Sequence, residues 1–231
     1  MASAPKNHRA VMASRVEPPD SLDLFCTPPW ATRALLECAI PISTAALQLR
    51  TCWDPCAGKG HMTEVLWEYF GAVHSSDVFD YGCDYHIGSF VGVGPDVAHC
   101  PAAPSWIIMN PPFNLAEEFV ERALDEAVEG VAVLIRTTWL ETHGRYDNLF
   151  SKRPPTTVAL FAERVPMVKG RWDPQASTAT AYCWIIWHLE RSARRSRGTR
   201  LEWIPTGTRA KLTRVDDVKR FTSAAHEAPK P

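Results

Sequence analysis

The stretch S-W-I-I-M-N-P-P-F, residues 105–113, decides the fold of this chain. Its apolar run, residues 106–109, is too short for a helix and is typical of a strand buried on both faces. Pro111 and Pro112 lack a backbone donor, fix their own φ angles and keep the preceding residue out of the α region, so the strand ends in a rigid turn. Asn110 is therefore held at the carboxyl end of the strand, the edge of an open α/β sheet at which ligands bind.

The same turn predicts a kind of ligand. The side-chain oxygen of Asn110 and the backbone carbonyl of Pro111 are two acceptors, and Phe113 adds a flat ring beside them. Two acceptors beside a stacking ring suit a planar heterocycle that carries an amino group. A plain strand-to-loop turn with Phe113 in the core is the alternative that this stretch leaves open.

Length and composition predict one α/β domain. The chain has 231 residues, of which 45% are hydrophobic, which is enough for one sizeable core and short for two. We expect a single domain over residues 21–221, with disordered tails at 1–20 and 222–231. The net charge of -1 averages a mildly acidic body and an arginine-rich region near the C-terminus.

The cysteines and the apolar runs bear on the compartment. Seven cysteines without a CxxC pair argue against a disulfide framework and a zinc ribbon, so we expect a reducing, cytoplasmic environment and no metal. No apolar run has the ~18 residues of a membrane span, and the N-terminus lacks the apolar core of a secretory signal. The sequence therefore predicts a soluble protein without a membrane partner.

A glycine-rich turn lies upstream, in L-R-T-C-W-D-P-C-A-G-K-G at residues 49–60. The pattern predicts a strand up to residue 53, a turn at Gly58 and Gly60, and a helix over 61–70. Glycines in such a turn let a ligand approach the backbone, and Asp54 at the strand end suits a cationic or amino-bearing group. Neither the dinucleotide fingerprint nor the P-loop is complete.

The next strand, residues 71–77, ends in Asp77. Its separation from Asp54 is near that at which an acid meets ribose hydroxyls in nucleoside-binding βαβ units. We therefore expect a cofactor with a ribose. Either Ser89-Phe90 or Asp96-Val97 could contact its adenine, and the sequence does not decide between them.

The remaining elements follow from periodicity. The pattern predicts a helix that Thr27 caps within residues 23–40, an amphipathic helix over 114–128, and buried strands at 130–136, 156–161 and 179–187. The loop at 162–178 is long enough to close over a ligand. Residues 188–205 are interpreted as an antiparallel hairpin with an arginine tip.

The order TPPWAT (27–32), DPCAGKG (54–60), SSD (75–77) and NPPF (110–113) resembles the S-adenosylmethionine-dependent N6-adenine DNA methyltransferases, most closely their compact phage and prophage members. The resemblance covers roughly residues 23–190 and implies a Rossmann-like class I methyltransferase fold. It implies cofactor contacts from Thr27, Pro28, Pro29, Asp54, Pro55, Cys56, Ala57, Gly58, Gly60, Asp77, Val78 and Asn110. It makes Asn110, Pro111, Pro112 and Phe113 the catalytic tetrapeptide.

The chemistry of this family fits the residues. An exocyclic amine conjugated to a purine is a poor nucleophile, and the oxygens of Asn110 and Pro111 would draw its lone pair out of conjugation for an in-line displacement. Phe113 would stack on a base flipped out of a duplex, and Trp172 or Trp139 would cover the other face. The predicted nucleic-acid contacts are Lys169, Arg171, Trp172, Arg191, Arg194, Arg195, Arg197 and Arg200.

Three other readings stay open at this stage. The same tetrapeptide also marks enzymes that methylate glutamine in proteins, and the adenine could belong to RNA. A nucleic-acid-binding protein with a vestigial cofactor site is the non-enzymatic alternative, although the intact Asp54, Asp77 and Asn110 argue against it.

Overall fold

The computed structural model describes residues 23–189 and 198–222. Within them, eight strands form one sheet in the order β3-β2-β1-β4-β5-β7-β6-β8. The strands are β1 Thr51–Asp54, β2 Ala72–Asp77, β3 His86–Ile87, β4 Trp106–Met109, β5 Gly130–Arg136, β6 Thr157–Phe161, β7 Tyr182–His188 and β8 Arg200–Ile204. The strands predicted from periodicity are found with ends shifted by a few residues.

The sheet is mostly parallel, as the sequence predicts. Strands β3, β2, β1, β4 and β5 run parallel to one another, whereas β7 is antiparallel to both β5 and β6. Strand β4 is central and pairs with β1 and β5. The carboxyl ends of β1, β2 and β4 therefore meet at one edge of the sheet, and the predicted α/β class is confirmed.

Helices cover both faces of the sheet. They are α1 Pro29–Ala34, continued by a π-helical turn Leu35–Ala39, α2 Thr44–Leu47, α3 Thr63–Leu66, α4 Ala116–Glu126, α5 His143–Arg145 followed by a π-helical turn Tyr146–Phe150, α6 Thr208–Leu212 and α7 Asp217–Phe221, with a 3₁₀ turn at Thr137–Leu140. The helix predicted over 61–70 is thus only one turn long, with turns on either side.

Alternate residues of β4 face two different cores. Trp106 and Ile108 pack in the first core with α1 and α3, while Ile107 and Met109 pack in the second core with α4. All four side chains are fully buried. Successive residues of a strand point to opposite faces. Because both faces of β4 are covered, all four positions of the run 106–109 are apolar.

The start of α1 differs from the prediction. Pro28 occupies the position before the helix and makes no side-chain cap. Pro29, at the first helical position, has no backbone N–H, so one of the donors that a cap would satisfy is absent. The Thr27 hydroxyl instead accepts a hydrogen bond from Asn110. The prediction that Thr27 caps this helix is therefore wrong.

The hairpin predicted over residues 188–205 is also corrected. Strand β8 pairs in parallel with β6, and β6 separates β8 from β7. The antiparallel pairing of this region lies between β6 and β7, which are joined by the long loop 162–178. Local turn patterns cannot distinguish a hairpin from a connection that skips one strand, because both need only a polar segment between two apolar runs.

Most of the two predicted tails lies outside the described residues, as does the arginine cluster at 190–197. Among residues 23–189 and 198–222, no helix has both the length and the apolarity needed to cross a membrane.

Candidate active site

A cavity of about 260 Å³ lies at the carboxyl edge of the sheet. It brings together the ends of β1, β2 and β4 with the segment before α1. Its lining includes Thr27, Asp54, Pro55, Cys56, Ala57, Gly58, Asp77, Val78, Asn110 and Pro112 of the predicted site. Pro28, Pro29, Gly60, Pro111 and Phe113 of the predicted site are not among its lining residues; Pro28 and Pro29 are buried at the start of α1.

The turn after β1 needs its glycines for two separate reasons. Gly58 and Gly60 have φ angles of 53° and 82°, in the left-handed region that side chains disfavour. A Cβ on Gly58 would lie 2.7 Å from Leu24, and a Cβ on Gly60 would lie 2.2 Å from the hydroxyl of Tyr85. Gly58 therefore lets Leu24 pack closely against the turn, and Gly60 does the same for Tyr85.

Asp54 is a buried carboxylate at the end of β1. The hydroxyl of Thr63 donates to its Oδ2 at 2.8 Å, while its Oδ1 is buried and has no hydrogen-bond partner among the described residues. Burial raises the pKa of Asp54 to about 7, although the hydrogen bond from Thr63 favours the charged form. An unmatched buried acceptor in a cavity wall is suited to a ligand that donates hydrogen bonds or carries positive charge.

Asp77 ties the second strand to the turn. Its Oδ2 accepts from the backbone N–H of Gly58 at 2.8 Å and its Oδ1 from that of Phe79 at 3.0 Å. Burial raises its pKa although these N–H groups favour the charged form. The carboxylate is thus fixed in the cavity wall, at the place where hydroxyl groups of a ribose could reach it.

The side chain of Asn110 has a defined orientation. Its Nδ2 lies 2.9 Å from the carbonyl oxygen of Phe25 and 3.1 Å from the hydroxyl of Thr27. A backbone carbonyl can only accept, so the amide nitrogen must face Phe25. Both donors of the amide are used by the protein, and its oxygen stays available as an acceptor at the cavity.

Phe113 is half-buried on the other side of the tetrapeptide. Its backbone N–H donates to Asp23 at 2.8 Å, its ring lies 5.7 Å from that of Phe25, and the guanidinium of Arg136 stands 4.0 Å from its centroid. The sequence did not point to Arg136. It is the last residue of β5, so its position at the same sheet edge was the signal that could have identified it.

The loop 162–178 is attached to the turn after β1 and to the segment before α1. The backbone N–H of Gly170 donates to the carbonyl of Leu24 at 2.9 Å, and the buried Lys59 donates to the carbonyl of Gly170 at 3.0 Å. Met167 lies 3.7 Å from the amide nitrogen of Asn110. The loop thus covers the segment before α1 and supports the tetrapeptide, a role that the sequence predicted only as closure over a ligand.

Of the two stretches predicted as alternatives for the adenine side, one lines the cavity and the other does not. Ser89, Phe90 and Val91 line the cavity. Residues Asp96 and Val97 are not among the lining residues; the carbonyl of Asp96 accepts from the backbone N–H of Ser89 and supports it from behind. The structure therefore places Ser89-Phe90 at the cavity.

The predicted nucleic-acid contacts separate into three groups. Lys169 and Arg171 are exposed on either side of Gly170, and Arg200 is exposed at the start of β8. Arg191, Arg194, Arg195 and Arg197 lie outside the described residues.

The two tryptophans proposed as base covers are interior residues. Trp172 is 5% exposed and packs edge-on against Phe221, and Trp139 is 7% exposed, lying between Phe150 and Arg145. Neither presents a free ring face to the tetrapeptide, so this assignment is corrected. An aromatic residue in a basic loop can serve the core or a ligand, and only its burial distinguishes the two.

Comparison with known proteins shows the fold. No protein-family model and no curated protein matches the chain. The modification subunit of a putative type I restriction enzyme from Vibrio vulnificus YJ016 matches with a TM-score of 0.51 and 14% identity, over 85% of this chain and 51% of that one. The chain thus spans about half the length of that subunit and shares its Rossmann-like fold.

Two further solved structures are similar. The methyltransferase subunit of a type I restriction-modification system from Streptococcus thermophilus matches over 80% of this chain and 50% of that one, with 11% identity and a TM-score of 0.49. A putative RNA methyltransferase from Pyrococcus horikoshii matches over 70% and 82%, with 12% identity and a TM-score of 0.46.

Proposed function

We propose that this protein transfers a methyl group from S-adenosylmethionine to the exocyclic N6 of adenine in DNA. The observation that carries the proposal is the orientation of Asn110. Its amide nitrogen is held by Phe25 and Thr27, which leaves the amide oxygen as an acceptor at the cavity. An acceptor fixed in advance at this position favours the geometry in which an amino group is aimed for attack.

The cavity residues fit S-adenosylmethionine. The unmatched Oδ1 of Asp54 suits an amino-bearing group, the carboxylate of Asp77 suits ribose hydroxyls, and Ser89-Phe90 border the far end. Gly58 has no side chain, which lets Leu24 approach the turn closely at the cavity. When bound, this cofactor supplies an electrophilic methyl group on a sulfonium.

The residues of the tetrapeptide would act on the amine of the base. The oxygen of Asn110 and the carbonyl of Pro111 accept its two hydrogens, which directs the nitrogen lone pair toward the methyl group. Pro111 and Pro112 keep this turn rigid, so little reorganisation is needed when the base arrives. The ring of Phe113 would stack on the flipped base. The base would either displace the guanidinium of Arg136 from this ring or stack beside it.

The choice of DNA rests on charge and on fold. Lys169 and Arg171 form an exposed basic turn next to the segment before α1. The basic residues near the C-terminus add further positive charge in the sequence. The restriction-modification subunit from Vibrio vulnificus has the same fold. Adenine in RNA and glutamine in a protein would meet the same acceptors, and they are the alternatives that the experiment must separate.

The test uses a labelled methyl donor with adenine-containing duplex DNA, single-stranded RNA and an unmodified protein lysate as parallel acceptors. We expect label on N6 of adenine in DNA with the wild-type chain. Asn110→Ala should remain folded and bind S-adenosylmethionine with an affinity within a few-fold of wild type, yet lose at least about 100-fold in the rate of transfer, the size typical of a lost acceptor or donor in an active site.

Asn110→Asp is the matched control. It keeps the acceptor oxygens but cannot donate to the carbonyl of Phe25, so it should also lose activity because its orientation is no longer fixed. A near-normal rate of methyl transfer by Asn110→Ala would refute the mechanism. Label found only on glutamine or only on RNA would support the corresponding alternative instead.

A further inference from the structure

The last strand of the sheet has an open side. Strand β8 pairs with β6, and among the described residues no other strand lies beyond it. An edge strand presents unpaired N–H and C=O groups, and natural proteins usually shield such edges or pair them.

The backbone hydrogen bonds show which groups of β8 point outward. The N–H of Arg200 donates to the carbonyl of Thr156, and the carbonyl of Ile204 accepts from the N–H of Ala162, both at 2.9 Å. In a parallel pair, the residues that bond one neighbour alternate with residues that face the other side. Leu201 and Trp203 therefore direct their N–H and C=O groups to the open edge.

The same two residues carry exposed apolar side chains. Leu201 is 49% exposed and Trp203 is 64% exposed. They are in register with Val158 and Leu160 of β6, so they extend the apolar face of the second core beyond the last covered strand. A contiguous apolar surface next to free backbone groups is suited to addition of a strand.

We propose that β8 pairs antiparallel with β8 of a second copy of this chain, around a two-fold axis beside Leu201. In this register Leu201 lies opposite itself, and because its N–H and C=O point outward, the two copies exchange both hydrogen bonds there. Arg200 of each copy lies opposite Glu202 of the other. The sheet then continues through the dimer.

The charges select this register. Arg200 and Glu202 share one face of β8 and form an ion pair of 2.7 Å within the strand. Centred on Leu201, the four charges of two copies alternate in sign across the interface. Centred on Glu202, two carboxylates would be directly opposed, and a shift by one residue would exchange the two faces.

The self-complementary pattern favours a second copy over an unrelated strand. A two-fold interface requires each side to match itself, and the sequence R-L-E-W does so around Leu201. A five-residue strand pair is small against the ~1,600 Å² of a standard interface, so we expect a reversible dimer with a dissociation constant on the order of micromolar.

A charge swap tests the proposal. Sedimentation velocity of the full chain from ~1 to ~100 µM should show a monomer–dimer equilibrium. Arg200→Glu and Glu202→Arg should each weaken self-association at least tenfold, since each opposes like charges. Mixing the two single variants, or combining them in one chain, should restore the dimer. Arg153→Glu, a charge reversal at an exposed residue outside β8, should have no effect.

Cross-linking tests the register independently. Leu201→Cys should form a disulfide between two copies under mild oxidation, because opposite α-carbons in a hydrogen-bonded pair are about 5.5 Å apart and disulfides span that distance. Trp203→Cys should not, because its copies would be separated by roughly four residues of strand, about 13 Å. The wild-type chain measures the background from its own cysteines.

Each outcome decides the matter. A wild-type chain that stays monomeric over the whole concentration range overturns the proposal and leaves the edge to a different partner. A dimer that survives both single charge changes, in variants shown by circular dichroism to be folded, uses another surface and also overturns it. Dimerisation that follows the charge swap establishes the β8 interface.

Discussion

Asp54 is the residue in which burial and charge conflict most strongly at the site. It is 1% exposed, one of its oxygens has no partner among the described residues, and its pKa is raised to about 7. In the unfolded chain the same carboxyl would ionise near pH 4. The folded protein therefore binds an extra proton between about pH 4 and pH 7, and the free energy of unfolding decreases as the pH rises through this range.

Asp54→Asn should reveal this cost directly. The amide keeps an acceptor for Thr63 but never ionises, so the variant should match wild type near pH 4 and exceed its free energy of unfolding by up to ~4 kcal/mol above pH 7. Urea denaturation at several pH values measures the difference. A variant that is less stable than wild type at pH 8 would show that the carboxylate is satisfied in solution.

The ligand should respond to the same ionisation. If an amino-bearing cofactor contacts the ionised Asp54, its affinity should fall by about tenfold per pH unit below pH 7, because the carboxyl must first lose its proton. Calorimetry across this range measures the slope. In Asp54→Asn, binding should be weak at every pH, with the slope gone.

Phe113 is placed for stacking but is not free. Its ring lies 5.7 Å from that of Phe25, and the guanidinium of Arg136 lies 4.0 Å from its centroid. Phe113→Ala should weaken binding of a substrate with an unpaired target adenine by about 1 to 3 kcal/mol, whereas Phe113→Tyr should keep the ring and the affinity. Fluorescence of 2-aminopurine at the target position reports stacking. Equal quenching by Phe113→Ala would place the base elsewhere.

At the scale of elements, a buried ion cluster joins α1 to the C-terminal helix α7. Arg33, 1% exposed, donates to both oxygens of Asp217 at 2.7 and 2.8 Å and to both of Glu68 at 2.8 and 2.9 Å. Arg220 adds a bond to Glu68 at 2.8 Å. The paired charges lower the pKa of Glu68, although its burial opposes this. The cluster fixes α1, which begins two residues after Thr27, against α7 near the end of the described chain.

Arg33→Met should therefore destabilise the protein by about 3 to 5 kcal/mol, because it leaves the Asp217 carboxylate buried without its partner. Arg153→Met removes an exposed pair with Asp125 and should cost less than about 1 kcal/mol. Thermal denaturation compares the two variants. Equal, small losses would show that Asp217 takes up a proton or reaches water when Arg33 is absent.

At the scale of the molecule, the net charge is only -1, but arginine residues are concentrated near the C-terminus. The logarithm of DNA affinity should fall with the logarithm of salt concentration by about 0.9 per phosphate contact. Replacing Arg194, Arg195 and Arg197 with alanine should flatten that slope by up to ~3 and weaken binding to all sequences alike. Cofactor affinity should not change.

The exposed turn provides the comparison. Lys169→Ala combined with Arg171→Ala removes two positive charges next to the segment before α1. If the arginine triple variant binds with unchanged salt dependence while this double variant flattens the slope, the turn at 169–171 holds the phosphates and the arginine cluster is a solvated segment.

The sequence alone determined the strand ends at the site and the positions of their polar residues. Short strand patterns that end in Asp54, Asp77 and Asn110 predicted three strand ends, and parallel strands bring such ends to one edge whatever the details of packing. The Gly58 turn was equally evident, because a backbone with positive φ leaves few residue types to choose from. These features are local in the chain, so composition and spacing reveal them.

The tertiary structure decided what depends on distant neighbours. The orientation of Asn110 is set by Phe25, 85 positions away, and the interior places of Trp139 and Trp172 by rings that their own segments do not contain. The partner of β8 is β6 rather than the preceding strand, since pairing follows from which edge is open when the sheet assembles. Periodicity records which face of an element is buried, but packing chooses what lies against that face.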